Sequence, residues 1–335
     1  MNVNIYDVAK KSGLSVVTVS RVINHSPSVR DYNRDKVLRA MEELGYHPSS
    51  AARSLAKGKT GVIGLLLPGL NDDFFNNVVK AINARLIENG YFLAISLEDE
   101  AEGNPRMSHY LFQEKRVDGI ILLSPLLEDD YIIELKKRNI PFVLLDNQKS
   151  QPSIFSVLVD NFKGGYMATR HFIDLGHKKI AFISGSDLYL SNRERKRGFM
   201  EALGEAGMEP YLIDGGNFDA SVGYDVTMKW IGSGRIPTAI FTADDNIMFG
   251  AFDAVKEKGL KIPEDISICG YDDDLLSSKL HPRLTTVRQP SEEMGRKAVE
   301  ILMQLMGGKH KRSMTVKLEP QLILRNSTAA PSTVD

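Results

Sequence analysis

"GLSVVTVSRVIN", residues 13–24, decides how the first part of this chain folds. Wound as a helix with a 3.6-residue period, it places Val19, Val22 and Ile23 on one side. Val17, Ser20, Arg21 and Asn24 fall on the other. A β-branched apolar side chain beside an outward arginine does not suit a helix that faces water.

The flanking residues supply the context. "IYDVAKKSG" puts Ile5, Val8 and Ala9 on one face and stops at Gly13, where a tight turn can use a positive φ. Ser15 can N-cap the quoted helix. Ala9 is small enough for the two helices to approach, and Val19 can fill the angle between them. The spacing Ala-x3-Gly-x5-Val fits a helix-turn-helix. A third helix is expected over Arg34–Leu44, with Val37, Leu38 and Met41 at helical spacing and Gly45 ending it. Residues 1–58 hold nine basic and five acidic side chains, against 33 and 38 in the remainder. A small basic end on an acidic body points to a polyanion as its partner.

The 335 residues, 42% apolar and 25% charged, have room for two or three globular domains. A single cysteine, Cys269, rules out an intrachain disulfide. "MNVNIYDVAKKSG" lacks the cationic start and apolar core of a leader. No apolar run approaches the roughly 20 residues that span a bilayer. A soluble, cytoplasmic protein with no membrane partner is therefore expected.

"HPSSAARSLAKGKTG" carries only a weak stripe of Ala52, Leu55 and Ala56. Its short run "AARSLAKG" is below the ~12–15 residues of a marginal isolated helix, and the stretch reads as a linker, helical only when something holds it. From Gly61 the pattern changes. Strand-length apolar runs such as "GVIGLLLP", "VDGIILLSP" and "IPFVLLD" alternate with helical stretches, and the series restarts after "SVLVDN". Near-continuous apolar strands indicate parallel sheets covered on both faces, here two in succession, making a two-lobed α/β body. "TVKLEPQLILRNSTAAPSTVD" reads as one or two late strands and then a frayed tail.

Catalytic signatures fail. "GSGRIP" lacks the third glycine and the preceding strand of a dinucleotide fingerprint, and no Walker or Gly-x-Ser-x-Gly sequence occurs. The histidines are scattered without a metal set, and His177 reads as a structural turn residue. No enzyme activity, cofactor or metal is expected.

"IYDVAKKSGLSVVTVSRVIN", "GYHPSSAARSLAKGKTGVIGLLLP", "GYDDD", "LTTVRQP" and "LILRNSTA" together resemble the LacI/GalR family of bacterial transcription regulators. The resemblance runs over essentially the whole chain, in the same order. It implies a small all-α helix-turn-helix domain and a hinge helix, followed by a two-lobed effector domain like the periplasmic binding proteins. The boundaries expected are 1–47 for the helix-turn-helix and 48–60 for the hinge. The first lobe takes 61–159 with 290–318, the second 160–289 with 319–330, and 331–335 is a tail.

In that family the second helix enters the major groove. Val16, Val17 and Arg21 then stand at base-reading positions. Ser15, Thr18, Ser20 and Asn24 match phosphate or backbone contacts, and Tyr6 lies near the DNA backbone. The chemistry agrees: Arg21 can donate two hydrogen bonds to a guanine, while the Val17 methyls can touch a thymine methyl. Leu55 matches the leucine that the hinge helix wedges into the minor groove, with Ala52 on the same face. "HPSS" puts Ser49 where the family often has asparagine.

For the effector, Asp146, Asp244 and Asp272 lie at strand ends, Arg195 matches the family's effector arginine, and Phe218 matches a ligand-packing aromatic. Carboxylates, a guanidinium and a ring suit a sugar or polyol. Asp244 replaces a common asparagine, and "NDDFF" departs from the usual Asn-Pro-Phe-Phe. The resemblance implies a repressor that binds a pseudo-palindromic operator as a homodimer. With no C-terminal leucine heptad, a dimer is favoured over a tetramer.

Overall fold

The structure is a computed structural model. It describes residues 3–24, 26–47, 59–70, 73–98, 116–149, 154–308 and 313–332. The chain divides into two compact units, and the smaller contains the first helices.

In that unit α1 (Ile5–Ser12) opens with a capping box: the Asn4 side chain accepts from the Tyr6 and Asp7 amides, and Asp7 accepts in return from the Asn4 amide. Gly13 ends α1 at φ 68°. Ser15 Oγ then caps α2 (Val16–Ile23) by accepting from the Thr18 amide at 3.2 Å. Val8, Val19 and Val37 are fully buried and hold α1, α2 and α3 (Asp31–Leu44) together.

Two expectations need correction here. The third helix starts at Asp31, not Arg34. Arg30 enters it without a side-chain cap, so the usual start signal is absent. Leu38 is 50% exposed, and Ala40 takes the core place beside Val37.

The larger unit begins with β1 (Val62–Leu67), α4 (Asp73–Glu88), β2 (Phe92–Leu97), β3 (Gly119–Leu123), α5 (Glu128–Lys137), β4 (Phe142–Leu145) and β5 (Ser156–Val159). The chain then crosses to a second lobe. There it forms α6 (Asn161–Asp174), β6 (Ile180–Ser184), α7 (Leu190–Glu205), β7 (Leu212–Gly215), α8 (Ala220–Gly232), β8 (Ala239–Thr242), α9 (Asp245–Glu257), β9 (Ser267–Asp272), a 3-10 turn at Leu275–Ser278 and β10 (Thr285–Arg288). It returns for α10 (Ser291–Met306) and β11 (Thr315–Leu318), and crosses once more for β12 (Gln321–Ile323). The first sheet runs β11-β5-β4-β3-β1-β2, and every pairing in it is parallel. The second runs β12-β10-β9-β8-β6-β7, parallel except for the β10–β12 pair.

The inner strands are apolar at nearly every position because helices cover both sheet faces. Every residue of β3, β6 and β8 is buried. No element is expected over residues 291–306 from hydrophobic period; there α10 buries Met294, Ala298, Val299 and Leu302 in the first lobe's core.

The stretch just before the expected tail is held in place. The Ile268 amide donates to the Ser327 carbonyl at 2.8 Å, Ser327 Oγ donates to the Ile268 carbonyl at 2.6 Å, and the Ala329 amide donates to Ser267 Oγ at 3.1 Å. Hydroxyls and backbone fix this segment to β9, so it carries no apolar period. His177 belongs to the same anchorage. Buried, it sits 3.0 Å from Thr238 Oγ1 and 2.8 Å from the Ala329 carbonyl.

Candidate functional site

The first candidate surface lies on α2. Val17 is 61% exposed, while Val19 and Val22, two and five residues on, are buried. Arg21, one helical turn beyond Val17, is also exposed, so the two share a face. Tyr6 is 70% exposed. Val16 is half-buried and packs on the unit's core, so it presents less of itself than Val17. The Ser15 and Thr18 hydroxyls lie 2.9 Å apart at the start of the helix, and Asn24 Nδ2 donates to the Ser20 carbonyl at its end. Ala52 and Leu55 fall outside the described residues.

The second candidate lies in the two-lobed unit, at the carboxyl ends of the parallel strands, where open α/β sheets place ligands. Asp146 follows β4, Asp272 ends β9 and Asp244 sits between β8 and α9. Arg195 comes from α7 and is 4% exposed. Its Nε donates to Asn161 Oδ1 at 2.9 Å and its Nη1 to the Ala243 carbonyl at 2.6 Å. Its Nη2 lies 3.7 Å from Asp272 Oδ1, and the guanidinium covers the Tyr271 ring at 3.7 Å from the centroid. Burial opposes its charge, but Asp272 and the more distant Asp146 and Asp244 outweigh that and raise its pKa.

Each carboxylate has one anchored oxygen. Ser124 Oγ donates to Asp146 Oδ2 at 2.7 Å, the Ile247 amide to Asp244 Oδ1 at 2.8 Å, and Gln289 Nε2 to Asp272 Oδ1 at 2.6 Å. Asp244 is therefore a helix cap at the carboxyl end of β8. Burial raises the pKa of all three, Asp244 most clearly, where the charge of Asp272 adds to the effect. Phe218 is half-buried, lies against Gly185 at the end of β6, and meets Tyr189 edge-on at 5.6 Å. The contacts join Arg195 directly to Asp272 and electrostatically to Asp146 and Asp244; Phe218 stands at the end of a neighbouring strand.

Ser124, Gln148 and Gln289 carry no sequence signal, and neither does the backbone conformation at the strand ends. Ser124, Asp146 and Asp272 have positive φ (48°, 50° and 109°), so the backbone is strained where these strands end. Gln289 comes from the crossing after β10. Gln148, just past Asp146, bridges the lobes: its Oε1 accepts from the Leu190 amide at 2.8 Å, and its carbonyl accepts from Arg193 Nη2 at 3.2 Å. A second bridge runs from the Leu275 amide to Asp73 Oδ2 at 3.1 Å, within the departing "NDDFF" segment.

Asp245 organises the loop beyond β9. Fully buried, it accepts from the Asp274 amide, Ser277 Oγ and Thr286 Oγ1 at 2.9, 2.6 and 2.7 Å. Burial, with the charge of Asp272 adding and these hydrogen bonds opposing, pushes its pKa from 3.8 up to about 7. A carboxyl with a raised folded pKa binds its proton more tightly when folded. Its contribution is therefore complete below pH 3.8 and is lost as pH rises toward 7. Denaturant melts at pH 5 and pH 7.5 should show Asp245→Asn reducing the wild-type gain at the lower pH by on the order of 2 kcal/mol. Equal pH dependence in the two proteins would exclude Asp245 as the source.

Among the described residues no helix is long and apolar enough to cross a membrane. Residues 4–49 match the lacI family of bacterial regulatory proteins, and residues 169–328 match the periplasmic binding protein-like domain. Catabolite control protein A of Priestia megaterium is 34% identical over 98% of this chain and 100% of its own. The Lac repressor dimer bound to operator and the anti-inducer ONPF superposes with a TM-score of 0.90 at 32% identity, covering 98% of this chain and 100% of that one. The transcriptional regulator CelR–cellobiose complex does so at 0.75 and 30%, over 97% and 99%. With its helix-turn-helix followed by two α/β lobes, this chain belongs to the lacI family of bacterial regulatory proteins, which are transcription regulators and not enzymes.

Proposed function

We propose that this protein is a repressor that binds a pseudo-palindromic operator as a homodimer and changes its operator affinity when a sugar or polyol occupies the cleft between its lobes. The observation that carries the DNA side is the 61% exposure of Val17 beside exposed Arg21, on a helix whose other valines pack inward. On this reading Val17 and Arg21 meet base edges, flanked by Val16. Ser15, Thr18, Ser20, Asn24 and Tyr6 fix register on the phosphate backbone, and Ala52 and Leu55 belong to a hinge over residues 48–60. The helix-turn-helix takes residues 1–47, and the lobes take 61–159 with 290–318 and 160–289 with 319–330.

Edge strand β2 supports a dimer: Phe92, Ile95 and Leu97 are 75%, 44% and 49% exposed, and Ile87 of α4 is 63% exposed. An apolar edge of this kind calls for a cover, and a second copy supplies one with two-fold symmetry. For the effector, Asp146, Asp244 and Asp272 accept from hydroxyls, Arg195 donates, and Phe218 covers a C–H face. The solved relative with cellobiose lends the sugar class support.

Operator selection followed by binding titrations tests the DNA assignment. Val17→Ala should lower the preference for one thymine-bearing position by on the order of 1 kcal/mol, the low end for a single base contact. The salt dependence should stay unchanged, because no phosphate charge is lost. A uniform loss of affinity across operator variants would mean that Val17 supports the fold and reads nothing.

A further inference from the structure

We infer that the effector carries a positive charge: an amine-bearing polyol, of the amino-sugar type, fits this cleft better than a neutral or phosphorylated sugar. The inference rests on the cleft being the effector site and goes on to specify what enters it.

Three carboxylates, Asp146, Asp244 and Asp272, share one guanidinium. Each has one oxygen held by Ser124, the Ile247 amide or Gln289, and the second oxygen of each has no hydrogen-bond partner among the described residues. Arg195 commits Nε to Asn161 and Nη1 to the Ala243 carbonyl, and reaches Asp272 only at 3.7 Å. Among the described residues, three further arginines are engaged elsewhere. Arg193 donates to the Asp187, Leu188 and Gln148 carbonyls, and Arg288 and Arg325 pair with Asp273.

An independent observation points the same way. Gln289 is 4% exposed and donates its Nε2 to Asp272, yet its Oε1 has no partner. Beside Asp272 there is thus a further acceptor, buried and without a donor. A phosphate would bring further negative charge into a buried group where carboxylates already outnumber cations. Hydroxyls could donate to the free oxygens but would leave the excess charge in place. An ammonium supplies three donors and cancels part of that charge.

The test is calorimetric titration of the full chain at pH 7 with matched sugars that differ in one group: glucose and glucosamine, galactose and galactosamine, mannose and mannosamine, and the corresponding 6-phosphates. At least one amine should bind about tenfold tighter than its hydroxyl partner, a gap of about 1.4 kcal/mol. Asp244→Asn keeps a helix-capping side chain while removing a charge, and should narrow the gap. Hydroxyl sugars or phosphates binding as well as the amines, or better, would overturn the charge inference and leave the polyol site standing. Silence of all the sugars, amine, hydroxyl and phosphate alike, would overturn the polyol reading together with it.

Discussion

Gly165→Ala is expected to abolish ligand response and to cost about 3 kcal/mol of stability, the upper end for overpacking a well-filled contact. A Cβ at position 165 would lie 2.1 Å from the Arg195 carbonyl oxygen and 2.8 Å from its carbonyl carbon. Backbone cannot rotate aside as a long side chain can, so α6 and α7 must separate. The contact is reciprocal: a Cβ on Gly198 of α7 would meet the Phe162 carbonyl of α6 at 2.1 Å. Separation moves Arg195 itself, and the guanidinium then loses its fixed place among Asn161, Ala243 and Asp272. Gly204→Ala, in the partner helix α7, is the control. Nothing lies within 4 Å of its Cβ position, so better helix propensity should stabilise the protein by up to about 1 kcal/mol. Denaturant melts of both variants decide the point. Equal small effects would show that the helices are not as closely meshed as the distances require.

Those glycines mark where the sequence was legible and where it was not. "GGYMATRHFIDLG" reads as a helix from its period, but nothing in it says why it opens with two glycines. The reason is tertiary: a Cβ on Gly164 would lie 2.2 Å from the Tyr271 hydroxyl, and one on Gly165 would strike Arg195. Each clears space for a residue about 30 or 100 positions away. The helix-turn-helix was legible because Ala9, Gly13 and Val19 act within ten residues of one another. The parallel sheets were legible because double coverage makes their strands continuously apolar.

Of the cleft, the strand-end aspartates could be found from position alone, since parallel strands bring their carboxyl ends to one edge. Gln289 could not, because it reaches Asp272 from a separate lobe crossing. The left-handed backbone at Ser124 and Asp146 was equally hidden. Aspartate tolerates that conformation, but no turn motif announced it. The start of α3 was misplaced because Arg30 gives no cap signal, and the C-terminal anchorage was missed because hydroxyl pairing leaves no hydrophobic pattern.

Arg195→Leu should cost about 3–5 kcal/mol at pH 7, the range for removing one partner of a buried charge group. Two costs combine. Asn161 Oδ1 and the Ala243 carbonyl lose their donor, and three carboxylates lose the one cation that lowers their pKa values. Only the second cost depends on pH. Without the guanidinium, the folded-state pKa values of Asp146, Asp244 and Asp272 rise further above their unfolded value of 3.8. The folded variant then holds more protons than the unfolded chain, so its deficit shrinks as pH falls through those raised values toward about 4. Melts at pH 5 should recover part of the loss seen at pH 7. Adding Asp272→Asn removes the carboxylate nearest the lost guanidinium and should recover part of the deficit at pH 7 without any change of pH. If the deficit is the same at both pH values and survives Asp272→Asn, then Arg195 serves the fold through its hydrogen bonds and its stack on Tyr271, and charge balance in the cleft is not what it provides.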